Sequence, residues 1–75
     1  MDGMTEIEIK ALRGLAIDAN EWMTARMVAD YAEVFRGMSN RSKAGAMGAV
    51  LKRLWKHGRV ERSAHAGVSV YRAKH

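Results

Sequence analysis

The stretch Leu51-Lys52-Arg53-Leu54-Trp55-Lys56-His57-Gly58-Arg59-Val60 decides the fold, because one repeat stops inside it and another begins. Up to Gly58 the apolar residues return every three or four positions, the spacing of one helix face. Beyond Gly58 the period is two. Arg59-Val60-Glu61-Arg62 and Val68-Ser69-Val70-Tyr71-Arg72 are short β-prone runs, and Ser63-Ala64-His65-Ala66-Gly67 between them is a small-residue loop of hairpin character.

Towards the N-terminus, the helical repeat extends through Ala44, Met47, Val50, Leu51 and Leu54. It predicts a helix over about 42–57, with Ser39 and Ser42 both able to cap it. Gly45 and Gly48 each weaken that helix by roughly 1 kcal/mol relative to alanine. Ahead of it, Ala25, Val28, Ala29, Ala32 and Phe35 form the stripe of a helix over about 25–35, entered through Thr24 and left near Gly37. Glu21-Trp22-Met23 is too short for a helix and reads as a bridge or brief strand. Thr5-Glu6-Ile7-Glu8 fits a capping box, and Asp2, Glu6 and Glu8 suit the positive end of a helix dipole. Ile9, Leu12, Leu15, Ala16 and Ala19 then give the apolar face of a first helix, about 6–19.

Seventy-five residues allow one domain, 1–75, without a deep cofactor cavity. The chain has no cysteine, which excludes a disulfide framework, a zinc finger and a thiol nucleophile. No apolar run approaches the ~18 residues of a membrane span, and the start is acidic where a signal peptide is basic. A cytoplasmic, nucleoid-associated protein is therefore expected. The formal charge of +5 is unevenly spread. Residues 1–35 carry three basic against seven acidic side chains, net −4, while residues 36–75 carry ten against Glu61 alone, net +9. Such a half attracts polyanions over a Debye length of about 8–10 Å, which favours nucleic acid over a merely solvated face.

Helix, short strand, helix, turn, helix and hairpin is an order that resembles the winged helix-turn-helix domain. The resemblance is carried by Trp22-Met23-Thr24-Ala25 leading into Val28-Ala29, by the Leu51–Val60 stretch, and by Tyr71-Arg72. It covers about Glu6 to Ala73 and implies an α+β, mainly α fold of three helices with a C-terminal wing over about 59–73. It also implies that the third helix lies in the DNA major groove and the wing on an adjacent groove or backbone. Ser39 to Lys43 make the turn before that helix longer than usual in the family. The Z-form nucleic-acid binders of the family are a poor match, because their helix positions fall on Gly48 and Lys52 and the chain has no proline.

With Ala44, Met47, Leu51 and Leu54 inward, the outer stripe of the third helix is Ser42, Gly45, Ala49, Lys52, Arg53 and Lys56. Small side chains in its first half let the backbone approach DNA closely. Asn40, Arg41 and Lys43 stand at its start, where free amides favour anions. Arg41 is the expected base reader, since a guanidinium grips guanine O6 and N7 together, while Lys52, Arg53 and Lys56 are expected phosphate contacts. The wing adds Arg59, Arg62, His65 and Arg72, with Lys74 and His75 trailing. Blander readings stand beside these: Gly45–Ala49 as a helix-packing surface, Lys43 lying along its own helix, and His65 on an ordinary solvated hairpin. Trp22, Trp55 and Tyr71 read as packing groups, with Trp55 at the core's edge.

No catalytic constellation is evident. The acidic residues fall on helix starts or outer faces, the three histidines form no metal-ligand motif, and the glycine-rich 43–48 segment lacks a phosphate-loop Gly-Lys-Ser/Thr. The chain is therefore expected to be non-enzymatic, without metal, cofactor or small-molecule ligand. The expected function is sequence-specific binding of double-stranded DNA as a small transcriptional regulator, with homodimerisation through the first helix raising affinity. The competing classes are a protein-interaction module within a larger assembly and a binder of structured RNA.

Overall fold

The computed structural model describes residues 3–74. Asp2 and His75, expected at the first helix's dipole and the basic trailing end, lie outside them. The elements run α1 (Glu6–Ile17), β1 (Met23–Thr24), α2 (Ala25–Ala32), α3 (Asn40–Lys56), β2 (Val60–His65) and β3 (Val68–Ala73). The three strands form an antiparallel sheet in the order β1-β3-β2. The fold is α+β, mainly α, with a β-hairpin at its C-terminus.

The core is built where the helix faces and one sheet face meet. Leu15 from α1, Val28 from α2, Met47, Leu51 and Leu54 from α3 and Met23 from β1 are its largest fully buried side chains, and Val60 and Tyr71 close it from the hairpin. The inward face of α3 is the one its periodicity predicts. That of α1 is rotated: Glu8, Ala11, Gly14 and Leu15 are buried, whereas Ile9 and Ala16 are exposed. The reason is Gly14. A Cβ there would sit 3.1 Å from the Ala32 amide nitrogen and 3.2 Å from the Val28 carbonyl oxygen, so α1 meets α2 along its glycine.

The helix ends differ from those the sequence predicts, each for a local reason. α1 stops at Ile17 rather than near 19, and the chain turns through Asp18–Glu21 by the bond from the Glu21 amide to the Asp18 carbonyl. α2 stops at Ala32 rather than 35. Glu33 takes the left-handed conformation (φ 57°) and donates to the Asp30 carbonyl, and the Val34 amide donates to the Ala29 carbonyl. Those are the two bonds of a Schellman motif. Val34 and Phe35 are thereby turned back onto the core. α3 begins at Asn40, two residues before the expected start, because the cap is Ser39, whose hydroxyl accepts from the Ser42 amide at 3.2 Å.

The brief strand falls on Met23–Thr24 rather than 21–23, paired to Tyr71 and Val70. In the hairpin, pairing continues to His65↔Val68, so the expected five-residue loop is a two-residue turn at Ala66-Gly67. Both turn residues have positive φ, 52° and 79°, as a type I′ turn requires.

Candidate nucleic-acid interface

The cations of the C-terminal half divide by what they touch. Lys43 is spoken for: its ammonium lies 2.7 Å from Asp30 on α2, and its side chain is only 16% exposed. Arg72 lies opposite Glu61 in the β-ladder and donates to it from Nε at 2.9 Å and Nη2 at 2.6 Å. Its guanidinium also covers the Trp22 ring at 4.3 Å. Arg53 turns towards the buried Glu8 at 3.9 Å, and Arg36 pairs with Glu33.

Arg41, Lys52 and Lys56 pair with no carboxylate among the described residues. Lys52 and Lys56 follow Arg41 by eleven and fifteen positions on α3. At about 100° per residue that spacing puts all three within about 60° of one another on one exposed side. Ser42, Gly45 and Ala49 are exposed on the same outer surface, and nothing lies within 4 Å of the place a Gly45 Cβ would take. That half of α3 is therefore low in relief and open. Asn40 is exposed in the helix's first turn. Of the amides there, Ser42 already donates to the Ser39 hydroxyl and Lys43 to the Ser39 carbonyl.

The hairpin stands beside the C-terminal end of α3. Side chains alternate across a strand, so Val60 and Arg62 share the sheet face that meets the helices, while Glu61 and Arg72 share the opposite one. Arg62 accordingly reaches over α3. Its guanidinium lies 4.9 Å from the centre of the Trp55 ring, and its Nη2 donates to the Ser69 hydroxyl at 3.1 Å. Trp55, Arg62, Ser63 and Ala64 line a cleft of about 240 Å³ between helix and hairpin. His65 is exposed at the hairpin's end.

Comparison with protein-family models, with curated proteins and with solved structures finds no significant match. The site is therefore read from its own geometry.

Of the residues singled out in the sequence, Arg41, Ser42, Gly45, Ala49, Lys52 and Lys56 share the exposed side of α3. Asn40 is exposed in its first turn but seven residues before buried Met47, off that side, and Arg62 lies over Trp55 from the hairpin. Arg72 is on the far face of the sheet. Arg53 and Arg59 are drawn instead to a second pocket, about 140 Å³, lined also by Gly3, Met4, Thr5, Glu8 and His57. Glu8 in that pocket is buried and accepts from the Thr5 amide at 2.8 Å, which completes the capping box predicted from Thr5 to Glu8. Glu8 stands at the helix start where the sequence reading puts it; its burial and its nearness to Arg53 are what the structure adds. Trp55 is absent from the contact set that the sequence suggests; placed there at the core's edge, it is 40% exposed. The signal for it is in the strand alternation: with Val60 inward, Arg62 must face the helix end that carries Trp55.

Among the described residues, no three His, Cys, Asp or Glu side chains are grouped to hold a metal ion, and no helix is long and apolar enough to cross a membrane.

Proposed function

We propose that the chain is a winged helix-turn-helix domain that binds double-stranded DNA by sequence, as a small transcriptional regulator. α3 lies in the major groove and the hairpin serves as the wing on the adjacent groove or backbone. The observation that carries this reading is the sorting of charge. Within a half of net +9, several cations are neutralised by acids of the same chain, and those left over on α3, Arg41, Lys52 and Lys56, share one exposed side. Cations with no carboxylate partner among the described residues, on an open helix surface next to a stretch of small side chains, suit a polyanion approached closely by the helix backbone. The element order adds support, since it is the one the winged-helix resemblance implies.

Lys52 and Lys56 act as phosphate contacts in this account, and Arg41 reads a base edge. Titration of a fluorescent duplex, followed by anisotropy over a range of salt concentrations, tests these roles. Lys52→Ala and Lys56→Ala weaken binding to every sequence and each lower the salt slope by about one. Arg41→Ala costs about 1–3 kcal/mol on the preferred site and little elsewhere. Lys43→Ala, which removes an Asp30 partner, changes affinity least. Lys43→Ala as damaging as the other two lysine variants, or no duplex binding by the parent chain, would overturn the assignment.

A further inference from the structure

Among the described residues are two arginine–tryptophan stacks, and they differ in a way that assigns them different work. In the first, Arg72 covers Trp22 and gives Nε and Nη2 to Glu61. Its charge is neutralised within the sheet. In the second, Arg62 covers Trp55, is fixed by the Ser69 hydroxyl, and pairs with no carboxylate among the described residues.

The second stack opens on the cleft of about 240 Å³ whose remaining lining, Ser63 and Ala64, is small. Lys52, three positions before Trp55, leaves the helix about 60° round from that ring, and Lys56, one position after it, about 100° round towards the open side of α3. A guanidinium held by a ring face and a hydroxyl gives up less conformational freedom on binding than an unsupported one, and its planar fork matches two oxygens of a phosphate.

From this contrast we propose that the cleft between the C-terminal end of α3 and β2 seats one backbone phosphodiester of the bound duplex. Arg62 is its anchor and Trp55 is the support that aims it. The inference rests on the DNA-binding reading and adds to it a residue, Trp55, and a fixed point at which helix and hairpin grip the same strand. Arg72, despite its equal formal charge, takes no part.

The test uses a mixed-sequence duplex of roughly 20 base pairs at low salt, where phosphate contacts dominate. Anisotropy is measured for the parent chain, Arg62→Ala, Arg62→Lys and Arg72→Ala, with circular dichroism confirming that each is folded. Arg62→Ala is expected to weaken binding about tenfold and lower the salt slope by about one. Arg62→Lys keeps the slope but recovers only part of the affinity, because a point charge lacks the fork. Arg72→Ala stays within about twofold of the parent, as expected of a cation already paired.

A Trp22→Phe chain leaves Trp55 as the sole tryptophan, and its emission should change saturably with added duplex. Trp55→Phe retains a ring face for Arg62 and binds better than Trp55→Ala. Equal losses from Arg62→Ala and Arg72→Ala, or duplex binding that leaves Trp55 emission unmoved, overturn this proposal and leave the DNA-binding reading standing. A parent chain that binds no duplex at all overturns both.

Discussion

Glu8 is a charged side chain that α1 carries inward, where an ionised group is costly unless it is hydrogen-bonded. Its carboxylate accepts from the Thr5 amide and hydroxyl and faces Arg53. The bond from the Thr5 amide is the main influence holding its carboxyl below the ordinary value of 4.5; burial pulls the other way, and the Thr5 hydroxyl, Arg53 and His57 add smaller downward pulls. A carboxyl more acidic in the folded chain than in the unfolded one stabilises the fold above about pH 4.5, and that stabilisation is lost as pH falls through the folded value. Asp30 behaves in the same sense through its bond to Lys43. Glu8→Gln is therefore expected to lower the melting temperature at pH 7 and to shrink the drop between pH 7 and pH 3. The remaining drop comes in part from Asp30. Thermal unfolding followed by circular dichroism reads both, and an unchanged acid drop would show that Glu8 is not the titrating group. The capping box itself is legible in the sequence as Thr5 and Glu8 three apart. The burial of Glu8 is not, because it depends on α1 rolling onto Gly14.

At the scale of elements, the inward faces of α2 and α3 are legible, since each is a run of apolar side chains at helical spacing. The face of α1 is legible only in part: Leu12 and Leu15 point to it, but Ile9 and Ala16 mislead, because close approach through a glycine leaves no apolar mark. The ends are less legible still. Glu33 and Ala66 occupy left-handed positions where glycine or asparagine would have signalled a stop.

Two glycines within helices make opposite predictions from the same substitution. Gly45→Ala meets open space and should stabilise the fold by about 0.5–1 kcal/mol through helix propensity. It should also weaken DNA binding if that surface enters the groove. Gly14→Ala gains the same propensity but presses on α2 backbone at 3.1–3.2 Å, so a net destabilisation of about 1 kcal/mol is expected. Urea unfolding of the two variants checks the signs. A stabilised Gly14→Ala chain would mean that α1 and α2 can separate without cost.

For the whole molecule, the asymmetry between an acidic first half and a basic second half is plain in the order of residues alone, and it points to a polyanion. Which cations are available to that polyanion is not. Lys43 is thirteen residues from Asp30 and Arg72 eleven from Glu61, and only the folded chain brings each pair together. Of the cations that remain, Arg41, Lys52, Lys56 and Arg62 are the proposed contact set, which links α3 to the hairpin. The central claim is that this surface reads sequence and is more than a generic basic face. Selection from random double-stranded DNA tests it most directly, with the winner compared against a scrambled duplex at two salt concentrations. The account predicts a discrete motif bound at least ~10³-fold more tightly than the scramble, with palindromic half-sites if the chain binds as a dimer. No enriched motif, with affinity for all duplexes collapsing alike as salt rises, would contradict it.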